Sequence, residues 1–284
     1  VAMGVSENLP LPRVSDRGLR LLSELVLEYS GISVGADKHQ LVANRLRRRV
    51  RELHLNSVDA YGDYVRADAT GAELETLVDL ITTNHTAFFR EPEHFSVFFD
   101  RLIPTLRADM PSGYPVRVWS AAAASGEEPY TLALLAAEAQ RQDPLMRVNI
   151  QASDISRRML DVAARGVYSM ESISVIPKEM LHRYFERGVA AQDGNCRLRR
   201  EVRASVNFQR LNLLDTHYPV SDLQHVIFCR NVMIYFEVET RRKVVERLLS
   251  HLAPGGYLIV GYSESISGLL PGLNSVSHGI YRRS

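Results

Sequence analysis

The feature that most restricts the fold is a change of hydrophobic period at Pro111-Ser112-Gly113. From Asp16 to about Met110 the apolar residues recur in helical steps. Leu19, Leu22, Leu25, Val26 and Tyr29 form one face, and Leu41, Leu46, Val50 and Leu53 mark a second helix. Further helices are expected over Tyr61–Arg66, Glu73–Thr82 and Glu91–Leu106. Past the break, short apolar runs alternate with helical ones. Val116–Trp119, Val148–Ala152, His225–Cys229 and Tyr257–Gly261 read as strands; Glu127–Arg141, Ser156–Ala164 and Val238–Leu252 read as helices. That alternation predicts an α/β domain around a parallel sheet covered on both faces. One stretch breaks it. Asp193-Gly194-Asn195 is a turn signal flanked by Arg197-Leu198-Arg199 and Val202-Arg203-Ala204-Ser205-Val206, which predicts a small antiparallel insertion over about 188–208. The expected organisation is a loose tail over 1–15, an all-helical domain over 16–90 and the α/β domain over 91–284.

Net charge is +1, so no global field points to nucleic acid or to a membrane surface. Cys196 and Cys229 are the only cysteines; they make no disulfide framework, and no Cys/His spacing fits zinc. No apolar run is long enough to span a bilayer and no segment reads as a secretory signal, so a reduced, cytoplasmic setting is expected.

In open α/β sheets, ligands bind beyond the carboxyl ends of the strands. The first such loop, "SAAAASGEEPY" (120–130), carries four alanines and the single Gly126. A phosphate-cradling loop needs glycines so that backbone N–H groups approach phosphate oxygens closely. Glu127 and Glu128 follow at once and would repel phosphate, yet they tolerate a cation at the start of a helix. A positively charged nucleoside without phosphate, such as S-adenosylmethionine, satisfies both conditions; the alternative is that the two glutamates simply complement the helix dipole. Asp154 at the end of the next strand has the place of a ribose-binding carboxylate, or else caps the helix that starts near Ser156.

The segments "TTNHTAFFRE" (82–91), "RVWSAAAASGEEPYTLA" (117–133), "ASDIS" (152–156), "LNLLD" (211–215), "VIFCRNVMIYF" (226–236) and "LAPGGYLIVGYSES" (252–265) occur in this order. With them the chain closely resembles the bacterial chemotaxis receptor glutamate methyltransferases, the CheR family, over nearly its whole length. Ala121-Ala122 stand where family members more often carry Gly-Cys. The resemblance implies a Rossmann-like S-adenosylmethionine-dependent methyltransferase domain after the helical one. It implies methyl transfer to glutamate side chains on cytoplasmic helices of a chemoreceptor, with S-adenosylhomocysteine as product. Carried over by position, the cofactor contacts are Asn84, Thr86, Arg90, Glu128, Asp154, Asn212, Leu213, Arg230 and Asn231, with Tyr235 beside the reacting methyl.

A glutamate with an ordinary pKa of about 4.3 is already ionised at neutral pH, so the transfer requires no general base. Alignment supplies the catalysis, with Arg90 orienting the substrate carboxylate and Tyr235 offering an O–H and a flat wall. For Arg90 the alternative is pairing with Glu91 or Glu93; for Tyr235 it is packing beside Phe236. Two basic stretches are candidate docks. In "KHQLVANRLRRRVREL" (38–53), Arg45, Arg48 and Arg49 share a helical face beside Lys38, Arg47 and Arg51; it suits acidic receptor helices or RNA phosphates, or is a solvated surface. In the insertion, Arg197, Arg199, Arg200 and Arg203 suit an acidic receptor C-terminal peptide added as an edge strand. A monomer recruited to membrane receptors, with no nucleic-acid partner and no membrane insertion, is expected. The rival enzyme is a methyltransferase acting on RNA, DNA or a small molecule, and the non-enzyme rival is a cofactor-sensing scaffold. Ala121 and Ala122 lean toward the scaffold; Arg90, Asp154, Asn231 and Tyr235 lean against it.

Overall fold

In a computed structural model that describes residues 14–35 and 39–284, the chain divides into two compact units, one ending at Thr83 and one running Asn84–Ser284. Residues 1–13 of the tail expected over 1–15, and Lys38, lie outside the described residues, while Ser15 belongs to the start of α1.

The first unit is helical: α1 Asp16–Ser30, α2 His39–Glu52, α3 Val58–Ala67 and α4 Ala72–Ile81. Its helices start where the sequence offers side-chain acceptors. Ser15 and Ser57 cap α1 and α3 by accepting from the N–H of Gly18 and Ala60, and α1 stops at Gly31 in the left-handed conformation. Leu19, Leu22 and Val26 of α1 are buried with Val42, Leu46 and Val50 of α2, Tyr61 and Val65 of α3, and Leu77 and Val78 of α4. Leu41, expected on the apolar face of α2, is exposed, and Val42 and Ala43 are buried instead.

The second unit opens with α5 Pro92–Val97, a π-helical turn over Phe98–Leu102 and α6 Ile103–Ala108. Then follow β1 Val116–Ser120, α7 Glu127–Gln142, β2 Val148–Asp154, α8 Arg157–Arg165, β3 Val167–Ser169, α9 Lys178–Tyr184, β4 Phe185–Arg187, β5 Asn195–Leu198 and α10 Arg200–Ala204. β6 Val206–Arg210, β7 Gln224–Phe228, α11 Val238–Ser250, β8 Leu252–Ile259, β9 Leu273–Ser277 and β10 Ile280–Arg283 complete it. The main sheet has the order β6-β2-β1-β7-β8-β10-β9. β6, β2, β1, β7 and β8 are parallel, and β10 and β9 run antiparallel at one edge. The last two strands are absent from the expected alternation because a short hairpin after β8 has no helix to announce it. Val118, Trp119, Ile150, Val226, Ile227, Phe228, Leu258 and Ile259 are buried in the sheet, under Tyr130, Leu132 and Leu134 of α7 on one face. Trp119 is fully buried and its indole N–H donates to Ser153 Oγ at 2.9 Å, as a buried indole requires.

Two expected boundaries move. Residues 84–90 belong to the second unit, not to the helical one. They form no helix: the Phe89 N–H donates to Thr131 Oγ1, and Phe88 packs edge-on against Tyr168 at 4.9 Å. The insertion is a separate three-stranded sheet of order β3-β5-β4, so it spans Val167–Leu198 rather than 188–208. The flank expected to pair across the Asp193-Gly194-Asn195 turn instead forms α10, and Val206–Arg210 joins the main sheet beside β2.

Candidate active site

Chain order sends β1 to β2 on one side of the sheet and later brings β7 against its other side, which makes a switch point between β1 and β7. The register aligns the strand ends there: Ser120 lies beside Ala152 and Phe228, and Asp154 beside Arg210. The segments 121–128, 154–156, 211–213 and 229–235 therefore leave the sheet at the same end.

The first loop spends its backbone donors on the protein itself. Ala121 N–H donates to Phe228 O at 2.7 Å, Ala123 N–H to Ser153 O at 2.9 Å, Ala124 N–H to Asp154 Oδ2 at 2.8 Å and Gly126 N–H to Ala123 O at 2.9 Å. None of these four amides is left to cradle a phosphate. Gly126 has φ +96°, and a methyl there would lie 2.8 Å from Ala163 Cβ, so the loop's single glycine is both conformational and steric. Asp154 Oδ1 also accepts from Ser156 N–H, while the cap of α8 is Ser156, whose Oγ accepts from Met159 N–H. The capping alternative for Asp154 thus falls to Ser156, and Asp154 ties the first loop to the end of β2.

The charges gather on Arg230, which directly follows β7 and Cys229. Its guanidinium is 1% exposed, and it donates through Nη1 to Glu128 Oε2 and through Nη2 to Glu91 Oε2, each at 3.0 Å, and to the Arg90 carbonyl. Ser120 Oγ donates to the other oxygen of Glu128 at 2.8 Å. Burial pushes the Glu128 carboxyl above the usual range; Arg230 and Ser120 offset part of that rise. Glu127 is also raised by burial, with Ser125 Oγ donating to it. Burial acts the same way on Glu91, but donors on Asn231, Arg230 and the Tyr262 backbone outweigh it and hold its carboxyl below the usual range. His94, at 3.4 Å from Glu91, is pushed down to about 4 by burial and by Arg230, so it is neutral at pH 7.

Of the residues expected at the cofactor, Glu128, Asp154, Asn212, Leu213 and Arg230 are buried at this end of the sheet, and Asn84, Thr86, Arg90 and Asn231 are half-buried. Asn212 Oδ1 accepts from Leu214 N–H, and Leu213 O accepts from the Tyr218 hydroxyl. Asn231 has φ +58° and its side-chain amide donates to Glu91 Oε1 at 3.1 Å. Tyr235 is half-buried and closes the 3₁₀ turn Met233–Tyr235. Arg90 donates to the His85 carbonyl and forms no ion pair with Glu91 or Glu93. Its expected alternative partner Glu91 serves Arg230 and Asn231 instead.

The basic residues divide. Arg45 donates to the carbonyls of Ile81 and Thr82, and Arg49 makes two bonds to Glu73, so both guanidinium groups tie helices of the first unit together. The Arg48 side chain is 87% exposed, with Glu52 as its partner. Arg197 and Arg199 are exposed at the insertion; Arg197 donates to the Arg165 carbonyl. On sequence Glu91 is no more than an alternative partner for Arg90 and Glu264 has no role, although both stand inside the motifs above. Their only sequence signal is a carboxylate at the end of "TTNHTAFFRE" and one within "GYSES".

This donor set fits S-adenosylmethionine. Two buried glutamates open α7, the buried Arg230 is already paired, and the amides of Ala121, Ala123, Ala124 and Gly126 are occupied, which suits a cationic, phosphate-free nucleoside. Among the described residues no helix is long and apolar enough to cross a membrane.

Comparison with known proteins agrees. Residues 84–278 match the family described as CheR methyltransferase, SAM binding domain, and residues 17–82 match CheR methyltransferase, all-alpha domain. The chain is 37% identical over 263 residues to a chemotaxis protein methyltransferase of Klebsiella aerogenes, covering 93% of this chain and 87% of that one. It is 38% identical to chemotaxis protein methyltransferase 2 of Pseudomonas aeruginosa, covering 91% and 90%, and 38% identical to the chemotaxis protein methyltransferase of Escherichia coli, covering 90% and 87%. The chain therefore belongs to the CheR family of chemotaxis methyltransferases, an all-helical domain followed by a domain that binds S-adenosylmethionine.

Proposed function

We propose that this chain methylates glutamate side chains on the cytoplasmic helices of a chemoreceptor, forming the methyl esters used in chemotactic adaptation. The observation that carries this reading is the contrast between two neighbouring arginines. Arg230 is buried and neutralised by Glu128 and Glu91, whereas Arg90 is half-buried with no carboxylate partner among the described residues. An unneutralised guanidinium beside the site suits an anionic acceptor, and a bidentate contact orients a carboxylate. An ionised glutamate needs no base, and the buried histidine closest to the network, His94, is held neutral.

In this reading Asp154 holds the ribose hydroxyls, Glu128 faces the charged methionine end, and Asn212 and Leu213 border the adenine. Asn84, Thr86, Arg230 and Asn231 complete the cofactor site. S-adenosylmethionine supplies an activated methyl group when bound. Arg90 orients the acceptor carboxylate, and Tyr235 walls the methyl and offers an O–H.

Docking on receptor helices draws on Arg48, the exposed member of the basic face of α2. Among the described residues β4 pairs with β5 alone and so presents an edge, on which a receptor C-terminal peptide adds as a strand near Arg197 and Arg199. The protein acts as a monomer, recruited from the cytoplasm to its receptors.

The test is transfer of labelled methyl from S-adenosylmethionine to receptor-containing membranes, followed by mild base. Carboxyl esters release the label as methanol, the expected result. Label that stays on protein or nucleic acid through base treatment overturns the reading.

A further inference from the structure

The last motif of the second unit has so far entered the site only through the Tyr262 backbone N–H, which donates to Glu91. Within it, Glu264 is 4% exposed. Its Oε2 accepts from the backbone N–H of Asn231 at 2.7 Å and of Gly261 at 2.6 Å; its Oε1 accepts from Met233 N–H at 2.7 Å and Ile234 N–H at 3.3 Å. A buried carboxylate needs donors in place of its water, and here all four donors are main-chain amides. They come from two turns, one following β7 and one following β8. Successive backbone amides of this kind make an anion-binding concavity, filled here by the protein's own side chain.

Two consequences follow for the site. Asn231 is held in the left-handed region at φ +58°, a conformation that costs a non-glycine residue energy unless its surroundings fix it. The 3₁₀ turn that ends in Tyr235 is anchored through the first two of its amides. Gly261 belongs to the same arrangement: a methyl there would lie 2.4 Å from Asn231 Nδ2 and 2.9 Å from Glu264 Oε2, so only glycine leaves both groups in place.

We propose that Glu264 is a positioning residue for methyl transfer. It clamps the turn after β7 so that Arg230 and Asn231 are preset for the cofactor and Tyr235 for the reacting methyl. This rests on the roles given to those three residues under the proposed function.

The test compares Glu264→Gln and Gly261→Ala in the full chain. Glutamine keeps the shape but turns an N–H₂ group toward two N–H donors. The readout is S-adenosylhomocysteine affinity by calorimetry, corrected for the folded fraction. Each variant is expected to weaken affinity by about tenfold or more, the worth of hydrogen bonds to a charged group. The double variant should lose no more than the worse single one, because both act on one clamp. With receptor membranes, kcat falls and the receptor KM holds. A purely structural tie would lower the unfolding midpoint and leave affinity per folded molecule unchanged, and that result overturns the proposal, as does additivity of the two losses. If Glu264→Gln does not fold, Gly261→Ala decides alone. Affinity is measured without receptor, so it holds whatever group accepts the methyl. Wild-type chain that binds S-adenosylhomocysteine but forms no base-labile ester sinks the proposed substrate and leaves the clamp standing.

Discussion

The Arg49 network of the helical unit and the Arg230 network of the second unit are built for different ends. In the helical unit Arg49 of α2 makes paired bonds to Glu73 of α4, and Tyr61 of α3 donates to the same carboxylate at 2.8 Å. The arginine is 29% exposed and its charge is stabilised further by the pair. Three helices are tied by one carboxylate, and the second acid that reaches Arg49, Glu52 at 3.5 Å, is 44% exposed. In the second unit Arg230 is 1% exposed and joins two carboxylates, from the start of α7 and from the turn before α5. Its Nε has no hydrogen-bond partner, and its face lies 5.2 Å from the Phe95 ring centroid. Burying three charged groups with an unsatisfied N–H is expensive. Stability alone does not call for such a cluster, whereas the cofactor role proposed for Glu128 and Arg230 does.

The largest break in that contrast is Arg230→Met. It leaves Glu128 and Glu91 buried without a counter-charge, so the second unit is expected to lose about 3 to 5 kcal/mol in denaturant unfolding, together with measurable S-adenosylhomocysteine binding.

Acidification comes next. Burial pushes both His94 and His225 down to about 4, so each binds a proton more readily unfolded than folded. Stability is then complete above the unfolded value near 6.5 and falls as pH drops through it toward 4. Between pH 6.5 and 5 each histidine is expected to remove on the order of 2 kcal/mol. Both lie in the second unit, so unfolding monitored at its Trp119 should show the loss.

Arg49→Met is smaller, about 1 to 2 kcal/mol of stability by thermal or chemical melts, with cofactor affinity unchanged. Arg48→Glu is smallest in stability, within about 0.5 kcal/mol, because its pair with Glu52 is exposed. It should nonetheless raise the receptor KM, and that rise should shrink as salt screens the contact.

The architecture was largely legible because β1, β2, β7 and β8 are apolar runs separated by amphipathic helices. Glu128 and Asp154 were legible because their places follow directly from strand ends. Their partners were not. Arg230 meets Glu128 and Glu91 from 102 and 139 residues away, and Glu264 meets Asn231 from 33. No periodicity encodes such pairings. The bounds of the insertion were not legible because β3 and β4 have three residues each, too short to show an alternation, so only the turn between β4 and β5 was visible. Helical spacing correctly put Arg45, Arg48 and Arg49 near one another. It gave no sign that Glu73 and the carbonyls of Ile81 and Thr82 would take two of them.

The most direct test of the central contrast is S-adenosylhomocysteine affinity in Arg230→Lys beside Arg49→Lys, each measured by calorimetry on folded protein. Lysine keeps the charge and removes the fork that joins two carboxylates. The account predicts a loss of about tenfold or more for Arg230→Lys and a change within about twofold for Arg49→Lys. Equal affinities in the two variants would contradict it.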